Sequence, residues 1–416
     1  MSPSTERNNG WLQKFTYSLI LVTLALTILY PFLYYVMRPF SRSLAEAAYK
    51  SISESYEIVL ISLYSAIAIF LTIYKIIRKR FSRYDWIYIL LVVWMGFSVF
   101  YVKSHKLFIP KFFLMLSGFG VFVSVEEAVS GNIENLKRLT LYLGISIGFI
   151  ALLTLTVNLY RLIAKGEFSR LGFPYAHPNQ IACLFVIALP ILFYSKFELP
   201  RLFVNTIIFL VFISVFLTGS RGSMMALIEG SLLSYIVFRE YRKDIKASIF
   251  IVALIVAFLI VIGLITHREL AAVVLRLKSE SFISFKYRYD AWLKGVEYLK
   301  MGTIFLGVGT GQFPIYIDYP GSMHNQFLQL LFENGVTGFG LFLILLFLPL
   351  TEIKDLKSQL NSLKERKIQV YLMWSYFILL FSFLTETRLK SFKFCFFFAY
   401  LLALVSFNYK SKHEHI

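Results

Sequence analysis

Apolar runs long enough to cross a hydrocarbon core, about 20 residues each, recur along the whole chain between short polar stretches. They predict membrane helices near 15–37, 56–77, 84–102, 108–126, 138–160, 179–195, 202–219, 221–238, 247–267, 325–349, 368–387 and 391–408. The pattern is that of an all-α, polytopic integral membrane protein with about 12 transmembrane helices. Arg7 and Lys14 precede the first run, whose apolar stretch is too long for the core of a signal peptide, so it reads as an uncleaved anchor. No internal repeat or separate soluble domain interrupts the series, and residues 1–416 read as one transmembrane domain. The single long break, 268–324, reads as an extended loop on one side of the membrane.

Charge adds an orientation. An even number of crossings puts both termini on one side, and the tightest Lys/Arg clusters decide which. Lys75, Arg78, Lys79, Arg80 and Arg83 form one, Arg239, Arg242, Lys243 and Lys246 a second, and Lys364, Arg366 and Lys367 a third. All fall on the side of the termini, which the positive-inside rule makes cytoplasmic. The net charge of +18 then follows from topology and attraction to anionic membrane lipid, and no nucleic-acid partner is needed to explain it. Composition agrees: 58% of residues are hydrophobic and 16% charged, with a mean hydropathy of +0.68. Cys183 and Cys395 both lie inside apolar runs, which excludes a zinc site or a disulfide framework built from them.

With that orientation the unusual polar tracts share the outer face. The first is Arg170 to Asn179, containing His177-Pro178-Asn179, and the second is Thr218-Gly219-Ser220-Arg221-Gly222. An arginine between glycines in a short turn is suited to gripping a phosphate with its planar fork; equally, it can be a tight hairpin whose arginine snorkels to the headgroups. In the long break, Lys286 and Arg288 alternate with Tyr287 and Tyr289 and lead into an amphipathic stretch with Trp292, Val296 and Leu299. These rings suit either an interfacial aromatic belt or flat platforms for sugar rings. Gly307, Gly309 and Gly311 lack the strand–turn–helix context of a dinucleotide site, and close backbone packing is the better account. Finally, His324 stands where the break meets an apolar helix, followed by Asn325, Gln329 and Glu333 at four-residue intervals on one helical face. An imidazole there suits proton handling, although a polar helix start would serve any side chain of that kind. Glu333 is a poor direct partner for it, since nine residues of helix span about 13 Å and rotate the two to opposite faces.

No carboxylate pair at metal spacing, DxD-like motif, Walker sequence or Ser-His-Asp grouping lies on the outer side. The order Arg170, His177-Pro178-Asn179, Gly219-Ser220-Arg221-Gly222, Arg288, Trp292, the spaced glycines and His324-Asn325 with Gln329, Glu333 and Gly335 resembles the O-antigen ligase and polymerase superfamily. The resemblance is carried by residues 165–340. It implies a GT-C-like, inverting, metal-independent glycosyltransferase without cofactor, multi-pass in the bacterial inner membrane with both termini cytoplasmic. The donor would be a glycan on undecaprenyl diphosphate and, for the ligase branch, the acceptor would be the lipid A core at the periplasmic face. Arg221 and Arg288 would meet the diphosphate and His324 would take the acceptor's proton. Arg170, His177, Asn179, Ser220, Asn325, Tyr287 and Trp292 would bind substrate, and Glu386 and Arg388 would help close the site. A polymerase would use the same donor. A transporter or flippase would call for charges at the midplane and repeat symmetry, and neither is found.

Overall fold

The computed structural model describes residues 3–37, 42–130, 132–165, 171, 177–243, 245–246, 280–299, 303–317, 323–351, 363–385, 389 and 391–406. Its α-helices in chain order are α1 (Pro3–Met37), α2 (Arg42–Ile77), α3 (Arg83–Phe97), α4 (His105–Val129), α5 (Ile133–Lys165), α6 (Pro178–Ser195), α7 (Arg201–Thr218), α8 (Arg221–Val237), α9 (Glu280–Tyr298), α10 (Phe313–Tyr316), α11 (Gln326–Thr351), α12 (Leu363–Thr385) and α13 (Phe392–Val405). Among the described residues, eight segments are long and apolar enough to cross a membrane: they lie in α2, α4, α5, α6, α7, α11, α12 and the stretch Arg83–Phe100. Helices α1 and α8 correspond to the predicted first and eighth spans, α13 lies within the twelfth, and the ninth, 247–267, lies outside the described residues.

The distribution of exposure is inverted relative to a protein in water. Val59, Ile69, Val93 and Ile228 are more than half exposed, whereas Ser117, Ser124 and Thr154 are buried. Apolar groups on the outside meet lipid, and polar groups inside must be satisfied by protein because no water is at hand. Backbone carbonyls meet many of them: Ser117 Oγ donates to the Leu114 carbonyl at 2.7 Å, Thr154 Oγ1 to Ile150 at 2.8 Å, and Tyr376 Oη to Leu346 at 2.7 Å. In α13 every residue from Phe392 to Val405 is buried. Its all-round hydrophobicity therefore marks a helix enclosed by protein, and it is shorter than the predicted span 391–408.

Two helices organise the packing. Helix α4 is flanked by α1, α2, α3 and α13, while α6 is flanked by α5, α7, α8 and α12; α12 also touches α13, and α11 lies against α3 and α12. The ends of these helices separate into two polar clusters. At one end Gln13 Nε2 donates to the Ala128 and Ser130 carbonyls at 3.3 and 3.2 Å. There also Lys75 Nζ, with its side chain 5% exposed, pairs with Asp85 at 2.9 Å and with Glu126. Asp85 in turn closes a capping box with Ser82 at the start of α3. The opposite end holds the polar tracts described below.

Within the break 268–324 the amphipathic stretch expected after Arg288 is helical. Residues 280–298 form α9, whose buried face is Ala291, Gly295 and Leu299; the sequence reading had placed Val296 on that face, but it is exposed. The Gly295 position faces the tip of the Met323 side chain, with Phe332 at 3.5 Å, so α9 rests on the segment that leads into α11.

Because Asp85 is fully buried and Lys75 is its counter-ion, Lys75→Met should cost about 3–5 kcal/mol, the penalty for stranding a buried charge. Arg138→Ala, which opens a pair more than half exposed on both sides, should cost no more than about 1 kcal/mol. Thermal unfolding in detergent, comparing the two variants, checks the contrast.

Candidate active site

The centre of the opposite end is a helix broken in mid-course. Gly335 in α11 has φ 63° and ψ −174°, so the helix stops at Asn334 and restarts beyond it. A break inside a membrane protein frees backbone groups that need protein partners, and the segment 303–312 supplies them. Val308 N–H donates to the Phe332 carbonyl at 3.0 Å and Gly309 N–H to the Glu333 carbonyl at 2.8 Å. Val336 N–H donates to the Ile304 carbonyl at 2.8 Å, and Trp94 Nε1 to the Asn334 carbonyl at 2.9 Å. The close approach requires glycine on both sides. Gly307 has φ 73°, and a Cβ there would stand 2.5 Å from the Glu333 carbonyl; one on Gly335 would collide with the Phe305 carbonyl. The spaced glycines are thus a backbone-packing device, as their sequence context suggested.

The same segment is bolted to the turn between α3 and α4. Ser104 and Gln312 exchange two bonds of 2.9 Å between the Ser104 backbone and the Gln312 amide. Thr310 N–H donates to Ser98 Oγ at 3.2 Å, Thr310 Oγ1 to Asn334 Oδ1 at 2.8 Å, and Tyr101 Oη to the Leu306 carbonyl at 2.8 Å. These partners were missed in the sequence. Their only local signal is a polar gap at Lys103–Lys106 between two apolar runs, which marks a turn without saying what the turn holds.

On this platform stands His324, half-buried and with φ 52°. A left-handed conformation costs a residue with a Cβ about 1–2 kcal/mol, so the neighbouring backbone must be held. Met323 N–H donates to Gln329 Oε1 at 3.1 Å, and the Met323 carbonyl accepts from Trp292 Nε1 at 2.6 Å. Asn325 Oδ1 accepts from Leu328 N–H at 3.0 Å and caps the start of α11. Gln329 Nε2 donates to Glu333 Oε1, and Glu333 Oε2 accepts from Gly311 N–H at 3.0 Å. The four-residue spacing of Asn325, Gln329 and Glu333 therefore does align a polar face.

Trp292 brings α9 to the same place, and Arg288, one turn earlier, shares its face. Arg288 is half-buried, and its Nε is enclosed without a hydrogen-bond partner among the described residues. Tyr287 and Tyr289 are 59% and 48% exposed.

The other tracts converge through helix starts. His177 caps α6, its Nδ1 accepting from Asn179 N–H at 3.3 Å, with Pro178 in the first turn. Gly219 ends α7 in a left-handed conformation, and Ser220 and Arg221 open α8. Ser220 is buried and donates to Ser223 Oγ at 3.0 Å; Ser223 Oγ donates to the Asn179 carbonyl at 3.4 Å, which joins the two helix starts. Arg221 is exposed at this junction. Gly222 packs against Thr385 at the end of α12, and four residues on, Leu389 N–H donates to Gln326 Oε1 at 2.9 Å. The N-termini of α6 and α8 thereby meet beside the end of α12, and that of α11 meets Leu389. Each of these helix starts carries the partial positive charge of a helix N-terminus, which is suited to anions. Arg170, Glu386 and Arg388 lie outside the described residues.

Gly335→Ala should destabilise the protein by about 1–3 kcal/mol, the cost of a Cβ in a forbidden backbone region, and should undock segment 303–312. The melting temperature in detergent and the protease sensitivity of the 303–312 segment measure both effects.

No curated protein matches the chain. Residues 206–343 match the family model described as O-antigen ligase. The matched stretch runs from α7 into α11 and contains Arg221, Arg288, the spaced glycines, His324 and Gly335. With this match in hand, the domain at residues 206–343 of this multi-pass membrane protein belongs to the O-antigen ligase and polymerase superfamily.

Proposed function

We propose that the protein is an O-antigen ligase, which moves a glycan from undecaprenyl diphosphate to the lipid A core at the periplasmic face of the inner membrane. The observation that carries the reading is that one matched stretch holds both the arginines and the histidine that such a transfer requires. Supporting it, the helix start bearing Arg221 and the α9 helix bearing Arg288 belong to the same end of the bundle as His324.

In the proposed reaction the acceptor hydroxyl attacks the anomeric carbon of the donor sugar from the face opposite the phosphate. The new glycosidic bond forms as the bond to the phosphate oxygen breaks, and the anomeric centre inverts. The departing undecaprenyl diphosphate takes the electron pair, and Arg221 and Arg288 meet its growing charge through forked hydrogen bonds, aided by the helix N-termini. His324 accepts the hydroxyl proton. Arg170, His177, Asn179, Ser220, Asn325, Tyr287 and Trp292 would bind substrate. The chemistry proceeds without metal or cofactor. A polymerase would differ only in using a second lipid-linked glycan as acceptor.

Gel analysis of lipopolysaccharide after deletion of the gene tests the reading: a ligase deletion loses every capped chain, whereas a polymerase deletion keeps a band with one repeat. Complementation with His324→Ala should restore transfer about 10²–10⁴-fold more weakly than wild type. Arg221→Lys and Arg288→Lys should each lose most activity despite keeping the charge. Full complementation by all three variants would overturn the assignment, and abolition of transfer by EDTA in detergent would overturn the metal-free mechanism.

The orientation is tested with thiol labelling, since both native cysteines are buried. A cysteine at exposed Lys294 should react with an impermeant maleimide in intact spheroplasts, and one at exposed Lys79 only after lysis. The reverse pattern would place the site in the cytoplasm.

A further inference from the structure

Glu333 has no role in the transfer as written, yet it is an ionisable group only 6% exposed inside a membrane-spanning helix. A carboxylate in such a place is tolerated only if its oxygens are satisfied. Both are. Oε2 accepts from Gly311 N–H at 3.0 Å, and Oε1 accepts from Gln329 Nε2. Gln329 then turns its own oxygen to Met323 N–H at 3.1 Å, while Trp292 Nε1 holds the Met323 carbonyl at 2.6 Å. Met323 immediately precedes His324, whose φ of 52° depends on how that peptide is held.

The order of donors and acceptors along this path has one solution. Two N–H groups, from Gly311 and Gln329, converge on position 333, so the side chain there must present two acceptors and no donor. Only a carboxylate does so. Its demand for a donor orients the Gln329 amide, with NH₂ toward Glu333 and oxygen toward Met323. A glutamine at 333 would keep the volume but bring an NH₂ against one of the two N–H groups. Gln329 would then flip and set its NH₂ against Met323 N–H, or Gly311 would lose its acceptor.

We infer that Glu333 is a positioning residue for His324: acting through Gln329, its charge locks the peptide before His324 and so aims the imidazole at the acceptor hydroxyl. The inference rests on the reading of His324 as the proton acceptor. It gives a buried charge a function in geometry, although the group stands a full helical segment away from the imidazole and on another face.

The swap of the two side chains provides a test that packing alone would not pass. Glu333→Gln should lower kcat about 10²-fold, the usual cost of a small misplacement of a catalytic group, with the donor KM unchanged. Gln329→Glu sets two carboxylates face to face and should lower kcat as well. In the double variant Gln329→Glu/Glu333→Gln the order is restored. Glu at 329 accepts from Met323 and from the new amide, and the amide oxygen accepts from Gly311. The double variant should therefore return to near wild-type kcat.

The assay follows release of undecaprenyl diphosphate from the lipid-linked glycan extracted from native membranes, with the native lipid A core as acceptor. Normal kcat in Glu333→Gln, or a double variant no better than either single one, overturns the inference. Should Glu333→Gln not elute as a folded species on size exclusion, Gln329→Met is read in its place, and a normal kcat there overturns the inference equally. His324→Ala run in parallel separates the two levels. If it turns over normally, the proton-acceptor reading itself fails; if it is inactive while Glu333→Gln is normal, only the positioning role fails.

Discussion

A helix interrupted within a membrane protein leaves carbonyls and N–H groups that water cannot reach, and everything at the active end of this molecule depends on how those groups are satisfied. The break at Gly335 exposes the carbonyls of Phe332, Glu333 and Asn334, and the N–H groups of Val308 and Gly309 together with the Trp94 indole meet all three. Each unmet group would cost several kcal/mol in such surroundings, so the 303–312 segment and α11 fix one another in position. Positive φ at Gly307 and Gly335 is the geometric condition for that interlock.

From this fixed platform the remaining parts acquire their places. The glycine segment supplies Gly311 N–H to the Glu333 carboxylate, and α11 carries the Gln329–Met323 contact that holds His324. Helix α9 is seated by Gly295 on Met323 and by Trp292 on its carbonyl, which sets Arg288 on the side of the imidazole. On the far side, Ser223 joins the starts of α6 and α8, and Thr385 and Leu389 link that junction to the start of α11. The proposed site for an anionic, lipid-borne diphosphate would gain from such a plan. Helix N-termini and arginines act strongly where water is scarce, and a rigid frame avoids reorganising charge during the reaction.

The opposite end follows a different logic. The buried Lys75–Asp85 pair and the Gln13 contacts tie α1, α2, α3 and α4 together. The desolvation cost of such a pair makes it weak as a source of stability but strict about geometry. It fastens α4, against which both α13 and α2 pack, and the turn at the other end of α4 carries Ser104 and its exchange with Gln312.

The sequence by itself determined the class of the protein and singled out the tracts on which the proposed chemistry rests. Apolar runs must become helices in lipid because no other structure satisfies their backbone, and the polar tracts at Arg221, Arg288 and His324 stand out because charge is costly near a membrane. It also showed that Asn325, Gln329 and Glu333 share a face, since a helical period is a local property. It marked the amphipathic stretch that becomes α9 but not its true buried face, because a buried glycine such as Gly295 leaves no trace in a hydrophobicity pattern. Nor could rotation along an ideal helix connect Glu333 to His324, because the link runs through Gln329 and a left-handed backbone. The tertiary structure alone decided which backbone groups meet across the break at Gly335, since hydrogen bonds between residues 94, 308, 309 and 332–334 depend on how distant segments pack and leave no periodic trace in the chain.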